Sequence, residues 1–378
     1  MTSEGQSHPA VAAWLWIVVA LIAGMVVVGG ITRLTGSGLS ITEWRPITGA
    51  LPPLGDADWR ELFEKYQSSP QYQQENAHYD LAAFRAIFWW EWGHRLLGRV
   101  IGFAVLGPFL LFWRRKLIAP WLARRVLLLL ALGAFQGALG WLMVKSGLVH
   151  VPRVSHYRLA AHLVTALITL SITAWTALEA QHGRSSPERS SRRRSSPERS
   201  SPERSTRERP PLAYRLVLSV GALLFVQIVW GAFVAGLRAG FVFPTFPKMG
   251  ADWIPPRALF PEPLWQAALD NAVLVQFIHR WLGATVVVLA LFAAVKLARS
   301  PGGRSLAAAL AGAVGLQFTL GVLAVLNMSQ APVFYGSVHQ AGAVVLLTIT
   351  VITAFHARRL PAASKALAPA LASDPSRA

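Results

Sequence analysis

An acid, a histidine and an arginine lie close together at the start of an apolar run near position 90. His94 follows Glu91 by three residues and Arg95 follows it by four, so on a helix all three side chains lie on one side. Trp89 beside them is typical of the boundary between lipid and water, and the residues after Arg99 are apolar for about one helix length. His94 is therefore expected just inside a membrane, where an ionisable side chain is a functional candidate.

Three further histidines stand near the start of other apolar runs, namely His162, His279 and His339. If these runs are helices that point the same way, the four histidines lie at one depth and form two pairs. Two imidazoles on parallel helices can face each other across a flat group, and haem held by two axial histidines is the simplest occupant. Arg95 and Arg280 directly follow two of the histidines and are candidate partners for haem propionates. The residue four positions after each histidine is small and leaves room for a porphyrin face: Gly98, Ala166, Gly283 and Ala343.

Other uses of membrane histidines stay open at this point. A single one can hydrogen-bond across helices or line a polar cavity without a metal, but four at repeated positions favour a shared role as ligands. A zinc or copper site fits less well, because the pairs lack the third ligand or thiolate that a closed site usually has. The remaining histidines have no repeat partner and are expected to be ordinary surface or interface residues: His8, His78, His150, His156, His182 and His356.

The composition indicates that these residues are positioned by membrane helices. Hydrophobic residues make up 53% of the chain, charged residues only 14%, and the mean hydropathy is +0.42. The absence of cysteine excludes disulfides, thiolate metal sites, iron–sulfur clusters and cysteine nucleophiles. The net charge of +18 lies almost wholly in alternate loops, which is the pattern that sets membrane orientation, so nucleic-acid binding is not expected.

Eight apolar runs have about the twenty residues that a spanning helix needs. The connections after the second, fourth and sixth runs and the C-terminal end are rich in arginine and lysine, so we expect these connections and both termini in the cytoplasm. The two long connections, 33–88 and 237–271, mix both charges with proline and tryptophan and are expected to be structured outer loops. The predicted spans are residues 12–32, 89–113, 121–144, 157–180, 212–236, 272–297, 305–327 and 334–356.

The two halves of the chain carry the same motifs in the same order. Each half has an even number of predicted helices, so both have the same orientation, as in transporters with parallel repeats. The predicted fold class is therefore an all-α polytopic membrane protein, with eight transmembrane helices in two tandem, pseudo-symmetric four-helix bundles. Three pairs of motifs carry the alignment: His94-Arg95 with His279-Arg280, Gln136-Gly140 with Gln317-Gly321, and His162 with His339.

A segment of unusual composition separates the halves. Residues 183–211 contain SSPER three times and nine arginines, without a large apolar residue. Such a segment cannot bury enough surface to fold, so it is predicted to be a disordered cytoplasmic linker, a tolerated insertion rather than an RNA-binding or phosphorylated switch. The predicted domains are an N-terminal bundle over residues 1–182, this linker, a C-terminal bundle over 212–360 and a flexible tail over 361–378.

Several longer motifs follow one another between residues 29 and 348: GGITRLTGSGLSITEWRPITGALPP, EWGHRLLGR, VSHYRLAAHL, VAGLRAG with TFPKM, VQFIHR and VHQAGAVVLLT. Together they resemble the haem A synthases, in particular the cysteine-free proteobacterial and mitochondrial branch. Several independent motifs in the right order make this resemblance specific.

The resemblance implies an eight-helix inner-membrane enzyme that oxidises the C8 methyl group of haem O to the formyl group of haem A, for cytochrome oxidase assembly. It implies a resident haem b in the second half and substrate haem O in the first. It also implies haem O synthase, the protohaem farnesyltransferase, as substrate donor, with oxidase assembly factors and membrane lipid as further partners and a homo-oligomer left open. The residues assigned in this way are His279, His339 and Arg280 for haem b, and His94, His162 and Arg95 for the substrate.

The chain departs from the family pattern at positions that touch no proposed ligand. The usual acidic-aromatic-lysine run before the second helix reads Ala83-Phe84-Arg85, and the usual asparagine before TFP is Pro244. The arginine–serine insertion is a further departure. The paired outer-loop cysteines of another branch are absent, so whatever they contribute there cannot operate here.

The halves differ at one position beside their histidines. Glu91 lies three residues before His94, whereas Gln276 lies three residues before His279, so only the first half has an acid beside its haem. Glu91 is therefore the candidate catalytic residue, either as acceptor of a proton from the methyl group or attacking water, or as stabiliser of a cationic intermediate. A Glu91–Arg95 pair with structural value alone is the alternative.

Two other function classes fit the histidine pairs: a di-haem electron carrier, such as a quinol-oxidising cytochrome b-like subunit, and a haem-binding assembly factor without catalysis. For the enzyme, coordination poses a choice, because two axial histidines leave the iron no open position for oxygen. Either His94 or His162 releases the substrate iron, or electrons are removed from the macrocycle and water supplies the oxygen.

Overall fold

The structure, a computed structural model, describes residues 8–45, 47–149, 152–183 and 211–360. In this part of the chain the regular elements are helical, and eight helices are long and apolar enough to cross a membrane. The prediction of an all-α chain with eight transmembrane helices is confirmed. We number them α1 Pro9–Leu34, α2 Leu81–Arg114, α3 Pro120–Gly147, α4 His156–His182, α5 Leu212–Gly236, α6 Ala272–Ala298, α7 Arg304–Leu326 and α8 Pro332–Ala357.

Prolines and polar caps define where several of these helices begin. Pro9, Pro120 and Pro332 occupy the first position of α1, α3 and α8, where a missing backbone N–H costs nothing. Asp80 caps α2 and Asn271 caps α6, because each side chain accepts a hydrogen bond from a backbone amide of the first turn.

The second helix begins earlier than predicted. α2 starts at Leu81, whereas the predicted span began at residue 89. The additional turns lie on the side of the first long loop and bury Phe84 and Phe88 against Trp59 and Tyr66 of that loop. Residues 81–88 are apolar apart from Arg85, so composition alone does not show that these turns pack on the loop and extend the helix beyond the membrane span.

Contacts between helices divide the eight spans into two rings of four. In the first half α1 and α3 each pack against α2 and α4, and in the second half α5 and α7 each pack against α6 and α8. Every helix of the first ring has an equivalent in the second at the same place in the order. The arrangement agrees with two four-helix bundles related by an approximate two-fold axis.

The two bundles meet along α1, α4, α5 and α8. α1 packs against α8, and its equivalent α5 packs against α4, while α4 and α8 contact each other between them. Gln340 on α8 donates a hydrogen bond to the carbonyl of Val26 on α1 at 2.6 Å, and Arg33 donates to the carbonyl of Ala235. The interface therefore combines apolar packing with hydrogen bonds to main-chain carbonyls.

The two long loops begin in the same way. Gly36 after α1 and Arg238 after α5 have φ values of 70° and 53°, and each opens a short 3-10 helix, Ser37–Leu39 and Ala239–Phe241. Glycine adopts this left-handed conformation freely, whereas arginine does so at a cost that the surrounding loop must offset. The first loop continues through 3-10 helix Thr48–Ala50 and helices Asp56–Gln67 and Pro70–Gln74, and the second through 3-10 helix Arg257–Leu259 and helix Leu264–Asp270.

The first loop has an aromatic core of its own. Tyr66 is fully buried beside Trp59, and its hydroxyl donates to Gln71 at 3.1 Å and accepts from Asn76 at 2.8 Å. Burial raises the pKa of Tyr66 to about 12, so the hydroxyl keeps its proton. Gln71 in turn donates to the carbonyl of Gly36 at 2.8 Å, which ties the loop core to the turn after α1.

Some sequence-based predictions fall outside the described residues. These are the interior of the linker, residues 184–210, the tail over residues 361–378, and His150. The domain bounds drawn at residues 182 and 212 stay predictions, although α4 and α5 end and begin at those positions.

Candidate functional site

Each of the four repeated histidines lies against a glycine of the preceding helix. A β-carbon placed on Gly29 of α1 would lie 3.0 Å from Nε2 of His94 on α2. Contacts this short leave little room for a methyl group, so glycine allows each pair of helices to approach with the imidazole between them. The corresponding distances to ring atom Cε1 are 3.3 Å for Gly140 and His162, 3.2 Å for Gly231 and His279, and 3.0 Å for Gly321 and His339.

In the second bundle the two imidazoles are spaced as iron ligands would be. The ring centroids of His279 and His339 lie 6.5 Å apart, with their planes at 90°. A metal–nitrogen bond of about 2 Å on each side, plus roughly 1 Å from each nitrogen to its ring centre, separates two opposed imidazoles by about 6 Å. The side chains present therefore fit a haem iron between them.

Buried ring nitrogens support the same interpretation. Within the described ranges, Nδ1 of His162 and Nδ1 of His279 are buried and make no hydrogen bond. A buried polar nitrogen without a partner is uncommon and calls for an explanation such as an ion or ligand. Among the four repeated histidines, one such nitrogen lies in each bundle, and neutral imidazole nitrogens are good ligands for iron.

Glutamines on α3, α5 and α7 form hydrogen bonds with three of the four histidines. In each case the side-chain amide donates to the main-chain carbonyl of the histidine on the next helix. The amides of Gln227 and Gln317 also lie 3.5 Å from His279 Nε2 and 3.2 Å from His339 Nδ1. The carbonyl distances are 3.1 Å from Gln136 to His162, 3.0 Å from Gln227 to His279, and 3.1 Å from Gln317 to His339.

Glu91 is buried, with both carboxylate oxygens engaged. Oε1 accepts from Nε and Nη2 of Arg95 at 3.1 and 2.6 Å. Oε2 accepts from the hydroxyl of Ser40 at 2.7 Å and from the amide of Ile41 at 2.8 Å. The pair with Arg95 is present as the sequence suggested, and the two loop contacts extend it into a link between α2 and the first outer loop.

Arg95 and Arg280 fasten the two outer loops in the same way. All three side-chain nitrogens of Arg95 are engaged, whereas Nε of Arg280 is buried without a partner among the described residues. Arg280 therefore retains a donor for an anionic group, such as a propionate. Two carbonyls that accept from each arginine occupy equivalent loop positions: Ile41 and Glu43 for Arg95, and Phe243 and Thr245 for Arg280. Arg280 also donates to the carbonyl of Lys248.

At the position equivalent to Glu91, the second half has Gln276, whose amide contacts the outer loop but carries no charge. Gln276 is buried and donates to the carbonyl of Phe243 at 3.1 Å. Both halves therefore use this position to hold an outer loop, and only the first half adds a negative charge there.

Further charges brace the first loop. Lys65 lies 2.9 Å from Glu43 and 2.6 Å from Glu61. The hydrogen bond from Lys65 lowers the pKa of Glu43 below its ordinary value, and the charge of Arg45 acts in the same direction. Because the backbone carbonyl of Glu43 also accepts from Arg95, these exposed charges are joined to the buried network around Glu91.

One polar contact between the halves was not predicted. His156, expected to be a surface or interface residue, lies with Nε2 3.0 Å from Asp270 of the second outer loop. The hydroxyl of Tyr157 donates to the same carboxylate oxygen at 2.7 Å. No sequence signal links these residues, because they are far apart in the chain and none has a repeat partner.

The glutamines and Ser40 were likewise given no role from sequence, although Gln136 and Gln317 stood out as repeated. Their signal was the spacing itself, since each of these glutamines precedes a histidine-contacting glycine by four residues. Ser40 had no such signal, because its contact with Glu91 spans 51 positions.

Comparison with known proteins gives one family. Residues 12–351 match the model of a family described as cytochrome oxidase assembly protein. The chain is 44% identical over 365 residues to a protein named haem A synthase from Rhodopseudomonas palustris strain BisB5, covering 93% of each chain. It is 45% identical to a protein of the same name from Bradyrhizobium diazoefficiens, over 93% of this chain and 92% of that one. With the haem A synthase of Paracoccus denitrificans the identity is 39%, over 92% and 88% of the two chains.

Proposed function

Since the chain belongs to the family of cytochrome oxidase assembly proteins, we propose that it is a haem A synthase, a multi-pass membrane enzyme that oxidises the C8 methyl group of haem O to the formyl group of haem A. One observation carries this proposal: each even-numbered helix has a histidine that packs against a glycine of the preceding helix, and the four histidines form two pairs. Only the pair of the first bundle has an acid, Glu91, beside it.

We assign a resident haem b to the second bundle, where His279 and His339 would bind its iron. The centroid distance of 6.5 Å supports this assignment, and the unpaired Nε of Arg280 is the proposed donor to a propionate. The chemistry that such a haem would supply is the transfer of single electrons. Gln227 and Gln317 orient the two ligands, as partners in the outer shell of metal sites commonly do.

We assign the substrate, haem O, to the first bundle, with His94 and His162 at its iron. Its C8 methyl group would be hydroxylated twice; each hydroxylation with water as oxygen source releases two protons and two electrons, and the electrons pass singly by way of haem b to an electron acceptor outside this chain. The resulting geminal diol loses water to leave the formyl group. Arg95 supports this site by holding the outer loop in place through the carbonyls of Ile41 and Glu43.

Glu91 is the proposed catalytic residue of the first bundle. Its four hydrogen bonds engage all the acceptor sites that a carboxylate usually offers, so accepting a proton requires one donor to withdraw. A fixed negative charge needs no such rearrangement and stabilises positive charge that develops on the macrocycle as electrons leave. Of the two roles that the sequence leaves open, this geometry favours the electrostatic one.

The membrane and the partners follow from the same proposal. We propose the inner membrane of a bacterial cell, with both termini in the cytoplasm, because the arginine-rich connections then lie inside. The four histidines accordingly face the outer half of the membrane. The substrate donor is a haem O synthase that farnesylates protohaem, and the product passes to cytochrome oxidase and its assembly factors.

The test is a chromatogram of extracted haem. The full chain is expressed with a haem O-forming farnesyltransferase in a host that makes no haem A, and the haems are separated from cells with and without it. We expect haem A and hydroxylated haem O only in cells that contain the chain. A purified protein that carries haem b alone would indicate an electron carrier, and one that carries haem O without converting it would indicate a binding protein; either result contradicts the proposal.

A further inference from the structure

Three odd-numbered helices carry a glutamine and a glycine four residues apart. Each such pair contacts one histidine of the next helix. The spacing places both side chains on one face of the helix. The glycine lies against the imidazole, and the glutamine amide donates to the carbonyl of the same histidine. We call this pair a Gln–Gly clamp, and its three instances are Gln136 with Gly140, Gln227 with Gly231, and Gln317 with Gly321.

The fourth odd-numbered helix lacks half of the clamp. On α1 the glycine is present, since Gly29 lies against His94, but the residue four positions earlier is Met25. Met25 occupies the place that glutamine has elsewhere. Its Cε would lie 3.4 Å from a β-carbon on Gly98, just as Nε2 of Gln227 would lie 3.2 Å from one on the equivalent Gly283.

The chemical difference concerns a single donor. Glutamine offers an N–H that fixes the height and rotation of the neighbouring helix at the histidine, whereas a thioether has no hydrogen to donate. Methionine is also flexible and accommodates shifts of its neighbours. His94 is therefore the one histidine of the four whose helix no glutamine amide secures at this point.

We infer that His94 is the ligand that releases the substrate iron when haem enters and leaves the first bundle, and that Met25 is the residue that permits it. This inference rests on the proposed function, in which the first bundle must exchange haem at every turnover while the second keeps its haem. His162, with its complete clamp, stays fixed as the opposite ligand. Which of the two histidines opens during haem exchange is thus decided by a residue on a third helix, α1.

The test is a reciprocal exchange of the two residue types. Met25→Gln completes the clamp in the first bundle, and Gln227→Met opens it in the second. Detergent-purified full-length proteins from cells that also make haem O are mixed with excess apomyoglobin, and the haem that remains is extracted and identified over time. Haem O and haem A report on the first bundle, and haem b reports on the second.

We expect Met25→Gln to slow the loss of haem O and haem A by about tenfold or more while haem b is lost as in the parent protein. Gln227→Met should accelerate the loss of haem b by a similar factor. Met25→Leu, which also lacks a donor, should release haem O like the parent. The measured quantity in each case is the amount of haem that stays bound to the protein over time. A substitution that alters the structure without affecting release of the iron by histidine leaves this amount unchanged.

Unchanged retention of haem O in Met25→Gln overturns the inference, provided that the parent protein makes haem A. If the parent makes none, the proposed function fails instead, so the two failures are distinguishable. Should Met25→Gln not fold, Gln136→Met serves as the second variant. Opening the clamp on His162 must then accelerate loss from the first bundle, and a rate equal to that of the parent contradicts the role given to the clamp.

Discussion

At the scale of single residues, Glu91 combines two functions that the sequence could not separate. Its carboxylate holds the first outer loop through Ser40 and Ile41, and it places a buried negative charge beside Arg95. The second bundle retains the first function with Gln276, which binds the carbonyl of Phe243. Replacing the acid with the amide that the other bundle already uses therefore removes the charge while keeping a loop contact.

We predict that Glu91→Gln keeps haem in both bundles but slows haem A formation by about 10²–10³-fold, because stabilisation of developing positive charge is lost. Haem O or its singly hydroxylated form should accumulate in the extracted haem. Ser40→Ala is the matched control, since it removes one hydrogen bond to the same carboxylate and leaves its charge. If Ser40→Ala reduces haem A as strongly as Glu91→Gln does, Glu91 acts through the loop and has no further role.

The histidine pairs predict different spectra for the two bundles. His279→Ala or His339→Ala should abolish the low-spin haem b spectrum of the purified protein, because either change leaves the iron with one protein ligand in a site built for two. His94→Ala should retain that spectrum and stop turnover. The opposite outcome, with haem b lost from His94→Ala and kept in His279→Ala, would mean that the two bundles are assigned backwards.

At the scale of helices, the glycines determine how closely the odd-numbered and even-numbered helices approach. α7 offers a comparison within one helix. Gly321 lies against His339, whereas a β-carbon on Gly312 would have no neighbour within 4 Å. Both residues are helical, so an alanine at either position gains a similar helix propensity.

We therefore predict that Gly321→Ala displaces the imidazole of His339 and reduces the content of low-spin haem b, while Gly312→Ala leaves it unchanged. Absorbance of the reduced, purified variants measures the content directly. Equal haem b content in both variants would show that the contact between Gly321 and His339 does not determine the position of the ligand.

The first outer loop should loosen in acid. The pKa of Glu43 is below its ordinary value of 4.5 in the folded protein because of Lys65, so its contribution to stability is present above that value and is lost as the pH falls through the lowered pKa. Amide hydrogen exchange around residues 41–50, corrected for intrinsic rates, should therefore accelerate below about pH 4.5. Lys65→Met should make this acceleration smaller, because the pKa of Glu43 then differs less between the folded and unfolded states, and a profile identical to that of the parent would exclude the pair as its source.

At the scale of the whole molecule, the approximate two-fold arrangement places all four histidines on the even-numbered helices. These helices run the same way, so orientation in the membrane decides on which side both proposed haem sites lie. The loops that carry Ser40 and Phe243 are bound on that same side to Glu91 and Gln276, three residues before His94 and His279.

Reporter fusions test this orientation. Fusions in the linker near residue 190 and at the C-terminus should report a cytoplasmic location, because the arginine-rich connections resist translocation. Fusions near Gln71 and Arg257, in the two outer loops, should report the opposite side. A reversed pattern would place the histidines near the cytoplasmic surface and would contradict the proposed location of both sites.

The sequence by itself determined the features that depend on local composition and on spacing along one chain. Eight spans are recognisable because a helix must be apolar for about its whole length to cross lipid. The repeat and the four histidines are recognisable because equivalent helices place their polar exceptions at the same depth. The start of α2 at Leu81 was missed, since packing of Phe84 on the loop is a tertiary contact without a local pattern.

Only the tertiary structure decided which groups meet across helices. The contact of Gly29 with His94, the bond from Ser40 to Glu91 and the pair of His156 with Asp270 each join segments whose order in the chain says nothing of their distance. Met25 illustrates the physical reason. In the sequence it is one more apolar residue of a membrane helix. In the structure α1 lies beside α2 as α5 lies beside α6, so Met25 occupies the place of Gln227, whose amide binds the carbonyl of His279.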